Sequence, residues 1–154
     1  MIQTYSSTIR RREMDAVLTC MVDEKIGPGE LNQRLIQFAK EFFSVDGAVA
    51  LRSPVIALKY AIQALDLPLD SGIMISALAP CWQYKGIISL GYKPIVLDVA
   101  PETALVTLEN VEEGIRQGGR LLILSGTLGN IYDIAPFVEL GVPIIEDVSQ
   151  NVGA

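Results

Sequence analysis

The apolar positions of this chain change rhythm near residue 45. Before it they recur at helical spacing. Met14, Val17, Leu18, Met21 and Val22 share one face of a helix predicted over 12–24. Leu31, Leu35, Phe38, Ala39 and Phe42 share one face of a second, predicted over 30–43. The turn Gly27-Pro28-Gly29 separates the two. After residue 45, short continuous apolar runs alternate with helical stretches. The runs GAVAL (47–51), GIMISA (72–77), KPIVLDV (93–99), RLLILSG (120–126) and VPIIED (142–147) read as strands. Helices are predicted between them, over 53–65, 82–91, 107–117 and 134–141. Ser53 stands as N-cap of the first, with Pro54 at the first helical position, where a missing N–H costs nothing. Gly91 is the expected C-cap of the second.

Apolar runs without polar alternation, separated by helices, define a parallel sheet buried on both faces. The expected architecture is therefore α/β. A helical arm over 1–44 precedes a core over 45–154 that holds about five parallel strands, with helices on both faces. No internal repeat or low-complexity tract interrupts it.

Composition narrows the classes of function. A chain of 154 residues, half of them hydrophobic, can bury a sizeable core. The net charge of -6 excludes the basic stripe that nucleic acid requires. The run Arg10-Arg11-Arg12 reads as the solvated start of a helix. The sequence has no histidine, which removes Ser-His-Asp and Cys-His nucleophiles and the usual zinc sites. Cys20 and Cys81 lack metal-ligand spacing and fit a reduced, cytoplasmic setting. No apolar run reaches the roughly 20 residues of a membrane span. The opening MIQTYSSTIRRREMDAV lacks the apolar core of a signal peptide. Neither a membrane nor a nucleic acid is expected as a partner.

The chemistry concentrates at the last run, where VPIIED ends on Glu146 and Asp147. An acid at the carboxyl end of a parallel strand borders the crevice where such sheets bind ligands. Asp147 reads equally as the cap of the turn that follows.

Four stretches, in order, give the chain a resemblance. They are IGPGELNQRLIQFAKEFFSVDGAVAL, GYKPIVLDVAPETALV, GTLGNIYDIAPF and VPIIEDVSQNVGA. Together they resemble the N-terminal part of the DegT-type sugar aminotransferases, pyridoxal-phosphate (PLP) enzymes of fold type I. The resemblance implies a partial PLP-transferase-like large domain. It implies a cofactor site built from a carboxylate on the pyridine nitrogen, a helix N-terminus on the phosphate, a flat group on the ring and a lysine for the Schiff base.

Carried over residue by residue, Asp147 matches the pyridinium carboxylate. Gln150 matches the polar residue near the phenolic oxygen. The phosphate turn, Ser-Gly-Thr in the family, is Ser53-Pro54-Val55 here. Pro54 has no N–H and Val55 no hydroxyl, so Ser53 and the N–H groups of Val55 and Ile56 are what remains for an anion. The ring-stacking aromatic falls on Pro80, with Trp82 two residues on as the available ring. Leu128 stands for a loop aromatic and Val152 for a histidine. The Schiff-base lysine of the family lies beyond position 154, and Lys25, Lys40, Lys59, Lys85 and Lys93 do not match it.

The resemblance thus implies a degenerate site with PLP not covalently bound and no amino transfer by this chain alone. A structural or regulatory role near nucleotide-sugar or polysaccharide metabolism follows. The chain would act as a homodimer, with a full-length relative or with a small sugar ligand. Two alternatives stand. One is half of an active aminotransferase or dehydratase, completed by further chain or a partner. The other is a binding module for a nucleotide or sugar phosphate.

Overall fold

The structure, a computed structural model, describes residues 8–153, and of Leu128 the backbone alone. The chain divides into two compact units, one ending at Ala50 and the other beginning at Leu51.

The first unit holds α1 (Arg11–Val22) and α2 (Glu30–Phe43). The backbone N–H of Arg10 donates to Glu13 Oε2 at 2.8 Å, which closes the start of α1. Helix α2 stops at Ser44, whose φ of 53° is left-handed. One turn apart on α2, Arg34 donates to Glu30 and Gln37 to Glu41. Phe42 stacks on Phe38 and meets Phe43 edge-on. Neither helix buries a residue fully.

The second unit runs α3 (Pro54–Gln63), β1 (Gly72–Ser76), α4 (Cys81–Ser89), β2 (Lys93–Leu97), α5 (Leu108–Arg116), β3 (Gly119–Ser125), a 3-10 turn (Thr127–Gly129), α6 (Ala135–Val138) and β4 (Ile144–Asp147). The strands form one parallel sheet in the order β2-β1-β3-β4. Alternation along the strands sends side chains to two cores. Ile73, Ile75, Leu121 and Ile123 meet Leu58 and Ile62 of α3 and Ile87 of α4. Met74, Leu122, Leu124 and Leu97 meet Val111 of α5 and Phe137 of α6. Both faces are therefore covered, and strands buried on both faces need apolar residues at every position. Each such side chain contributes roughly 1.5–3 kcal/mol by leaving water.

The sheet has four strands where the sequence pattern predicts five. Residues 47–51 form no strand. The run GAVAL has one β-branched residue, Val49, and its glycine and alanines have little preference for a pleated ladder. A run of this length has no strand geometry of its own and needs a partner edge to become a strand. Ser53 occupies the N-cap position of α3, but its side chain makes no capping bond. Thr107 does cap α5, accepting from the backbone N–H of Asn110 at 3.3 Å. Gly91, at φ +84°, follows the last residues of α4 in the left-handed conformation expected of it. Among the described residues no helix is long and apolar enough to cross a membrane.

Candidate functional site

Because the strands are parallel, their carboxyl ends share one edge of the sheet. Ser125 and Asp147 end β3 and β4 and are register partners, so they stand side by side. Helix α4 begins next to them, after the turn that closes β1. Its inward face carries Gln83, Gly86 and Ile87. Gln83 is completely buried, and its amide reaches both strand ends. Its Nε2 donates to Ser125 Oγ at 2.9 Å and to Asp147 Oδ2 at 2.7 Å. The other carboxylate oxygen, Oδ1, accepts the backbone N–H of Ser149 at 3.1 Å. Asp147 therefore caps the turn after β4 and also borders a cleft.

Two concavities flank the carboxylate. The first is a narrow polar cleft bordered by Pro80, Ser125, Thr127, Asp147, Ser149 and Gln150. The second is an open apolar groove of about 500 Å³. It runs along Pro54, Ala57 and Ala61 of α3 and past Trp82, Ile123 and Ile145, with Glu146 and Asp147 at its polar side.

The structure distributes the expected site residues unevenly. Asp147 and Gln150 share the cleft, together with Pro80 at the ring-stacking position. Trp82 and Pro54 share the groove with Asp147. Ser53 and Val55 border neither. No lysine borders either concavity. Lys85 is exposed on α4, and Lys93 pairs with Asp70 at 3.5 Å. Gln83 and Ser125 were not anticipated from the sequence. The available signal was a glutamine on the inward face of a helix, since a buried amide must find partners.

A parallel α/β sheet with a carboxylate at a strand's carboxyl end, between two concavities, is the arrangement in which open α/β sheets place a ligand crevice. The chain belongs to the DegT/DnrJ/EryC1/StrS aminotransferase family, whose profile matches residues 7–154. A dTDP-4-dehydro-2,3,6-trideoxy-D-glucose 4-aminotransferase from Saccharopolyspora spinosa is 30% identical over 163 aligned positions, covering 100% of this chain and 42% of that protein. An aminotransferase from Psychrobacter cryohalolentis superimposes with a TM-score of 0.89 at 20% identity, over 98% of this chain and 40% of that one. The GDP-4-keto-6-deoxy-D-mannose-3-dehydratase of E. coli, solved with hydrated PLP bound, superimposes with a TM-score of 0.83 at 21% identity, over 92% of this chain and 39% of that one. The chain thus spans about two fifths of the length of these relatives.

The residues present fit PLP incompletely. Asp147 keeps acceptor capacity for a pyridinium N–H, because a carboxylate offers about four lone-pair sites and two are taken here. The first turn of α3 offers a phosphate less, since Pro54 has no N–H and Ser53 and Val55 stand outside both concavities. An amine for covalent attachment is missing from the lining of the cleft and the groove.

Proposed function

We propose that this chain is a member of the sugar-aminotransferase family that performs no amino transfer by itself and has a structural or regulatory role in sugar metabolism. The observation that carries this reading is the changed phosphate turn, Ser53-Pro54-Val55, together with a well-held carboxylate, Asp147. Among the described residues no lysine borders the two concavities. Transamination needs an amine to carry the Schiff base and move the proton, and a carboxylate cannot replace it. The altered turn at Pro54 and Val55 supports the same reading, because it weakens phosphate anchoring within the part of the family that this chain matches.

The test is to mix the chain with PLP, reduce with borohydride and map the lysines by mass spectrometry, beside an assay for glutamate-dependent amination of a keto-sugar nucleotide. The expected result is low, scattered labelling and no turnover. One lysine labelled in one-to-one yield, or any turnover above the blank, overturns the reading.

A second reading has its own support. Strand β4 is outermost in the sheet and has one neighbour, and the apolar groove lies beside it. An unpaired edge with uncovered apolar surface invites a partner. In this reading further chain or another subunit completes an aminotransferase or dehydratase site. Exposed Leu35, Phe38 and Phe42 on α2 favour self-association into a homodimer in the same way. Amino transfer that appears only on adding a lysine-bearing C-terminal portion of a relative distinguishes this reading from the first.

A further inference from the structure

The geometry points to Gln83 as the positioning residue of Asp147, an inference that rests on the reading of Asp147 as the ligand carboxylate. A fully buried amide is destabilising unless its polar atoms are bonded. Gln83 commits both Nε2 hydrogens, one to Ser125 Oγ and one to Asp147 Oδ2. Its Oε1 lies 3.4 Å from the same serine hydroxyl, which turns its hydrogen toward it. The reverse amide orientation would place Oε1 2.7 Å from an ionised carboxylate oxygen and forfeit the donation to it. Only one orientation is compatible with an ionised Asp147, and the carboxylate selects it, because the Ser125 hydroxyl can donate or accept. The amide thereby ties α4, β3 and β4 together at the edge that carries the crevice.

A competing hold exists, the Ser149 N–H on Oδ1. Ser149 is exposed, so water competes for that bond, whereas the bond from Gln83 is shorter, charge-assisted and sealed from solvent at its donor. The side chain of Asp147 is therefore oriented from the inside, by an amide on a different element. Its unused lone pairs are left for a donor in the cleft or groove.

The experiment uses the whole chain, without ligand. Three-bond couplings from the Asp147 carboxyl carbon to its own backbone nitrogen and carbonyl carbon report its χ1 rotamer. The wild type is expected to show a single rotamer and Gln83→Leu an average over several. Unchanged couplings in Gln83→Leu overturn the inference, because Ser149 alone would then hold the carboxylate. Should Gln83→Leu not fold, the hydrogen exchange of the Gln83 side-chain amide is compared in wild type and Asp147→Ala. Loss of a charge-assisted bond is expected to speed that exchange roughly tenfold to a hundredfold. Exchange that is equally slow in both proteins overturns the inference. Neither readout involves a cofactor or turnover, so its failure is distinct from a failure of the proposed function.

Discussion

Gly119→Ala is expected to destabilise the second unit by about 1–2 kcal/mol, although glycine to alanine in a strand is favourable by default. The default gain comes from the unfolded chain, which loses freedom, and is about 0.4–1 kcal/mol. The opposing effect is steric. A Cβ at Gly119 would stand 2.6 Å from Met74 Sδ, 2.8 Å from Met74 Cγ and 2.8 Å from the carbonyl oxygen of Gly114. The methionine is completely buried, and the carbonyl belongs to the backbone of α5, so neither retreats easily. Overpacking of this kind costs about 1–3 kcal/mol, and three contacts inside 3.0 Å put the site in the upper part of that range. Gly114→Ala is the matched comparison. Its Cβ would stand 2.7 Å from Met74 Sδ, 2.9 Å from Leu97 Cδ2 and 3.1 Å from Met74 Cγ, all side-chain atoms, and alanine gains about 1 kcal/mol of helix propensity. That variant is expected to be destabilised less than Gly119→Ala, because no backbone atom stands among its close contacts and the helix gain offsets part of the overpacking. Urea unfolding followed by Trp82, the only tryptophan, reports on the second unit. For a unit of this size the expected loss lowers Tm by roughly 4–16 °C. In a double-mutant cycle, Met74→Ala should recover part of the cost of Gly119→Ala, a coupling of about 0.5 kcal/mol or more. A Gly119→Ala protein as stable as wild type, or one less perturbed than Gly114→Ala, would refute the steric argument.

Two further outcomes follow from particular groups. Pro54→Gly with Val55→Thr returns one N–H and one hydroxyl to the first turn of α3. At roughly 1.5–3 kcal/mol per charge-assisted bond, calorimetry should show inorganic phosphate binding tightened by about a hundredfold or more, with amino transfer still absent. Unchanged affinity would mean that the turn does not hold anions. Burial raises the phenol of Tyr132 above its ordinary value near 10, against a smaller opposing effect from the Val106 N–H that its oxygen accepts. The protonated phenol is thus favoured in the fold, so its contribution is complete below about pH 10 and is lost as pH rises through the folded value. Tyr132→Phe should flatten that alkaline decline in urea titrations, and an unaltered slope above pH 10 would assign it to other groups.

What was legible in the sequence is the set of elements whose signal is local. Helix α2 occupies the predicted residues 30–43, because its apolar stripe and the glycine before it mark both ends. The four long apolar runs from Gly72 onward are strands for a similar reason. GAVAL was misread because whether a short apolar run becomes a strand depends on a neighbour, and no local pattern encodes one. Asp147 was visible through its position after an apolar run. Gln83 was not, because its importance lies in two partners 42 and 64 residues away. Ser53 fits its helix-start position, yet it makes no cap, since the pattern names a residue type and not the rotamer that makes the bond.

The weight given to Asp147 as a mark of function has to be set against its role in the fold. Its carboxylate accepts from the buried amide of Gln83 and from the turn at Ser149. Removing it would leave a buried donor on α4 unpaired, which costs about 1–3 kcal/mol whether or not a cofactor ever binds. Stability alone is therefore sufficient reason for an aspartate at this position, and its presence does not discriminate between an active member of the family and an inactive one. The discriminating positions are those that the fold does not require in their family form. A glycine at 54 and a threonine at 55 would still permit the start of α3, at a small cost in backbone entropy, since proline is suited to the first helical position but not demanded there. The changed turn at Pro54 and Val55 consequently bears more on function than the retained acid does.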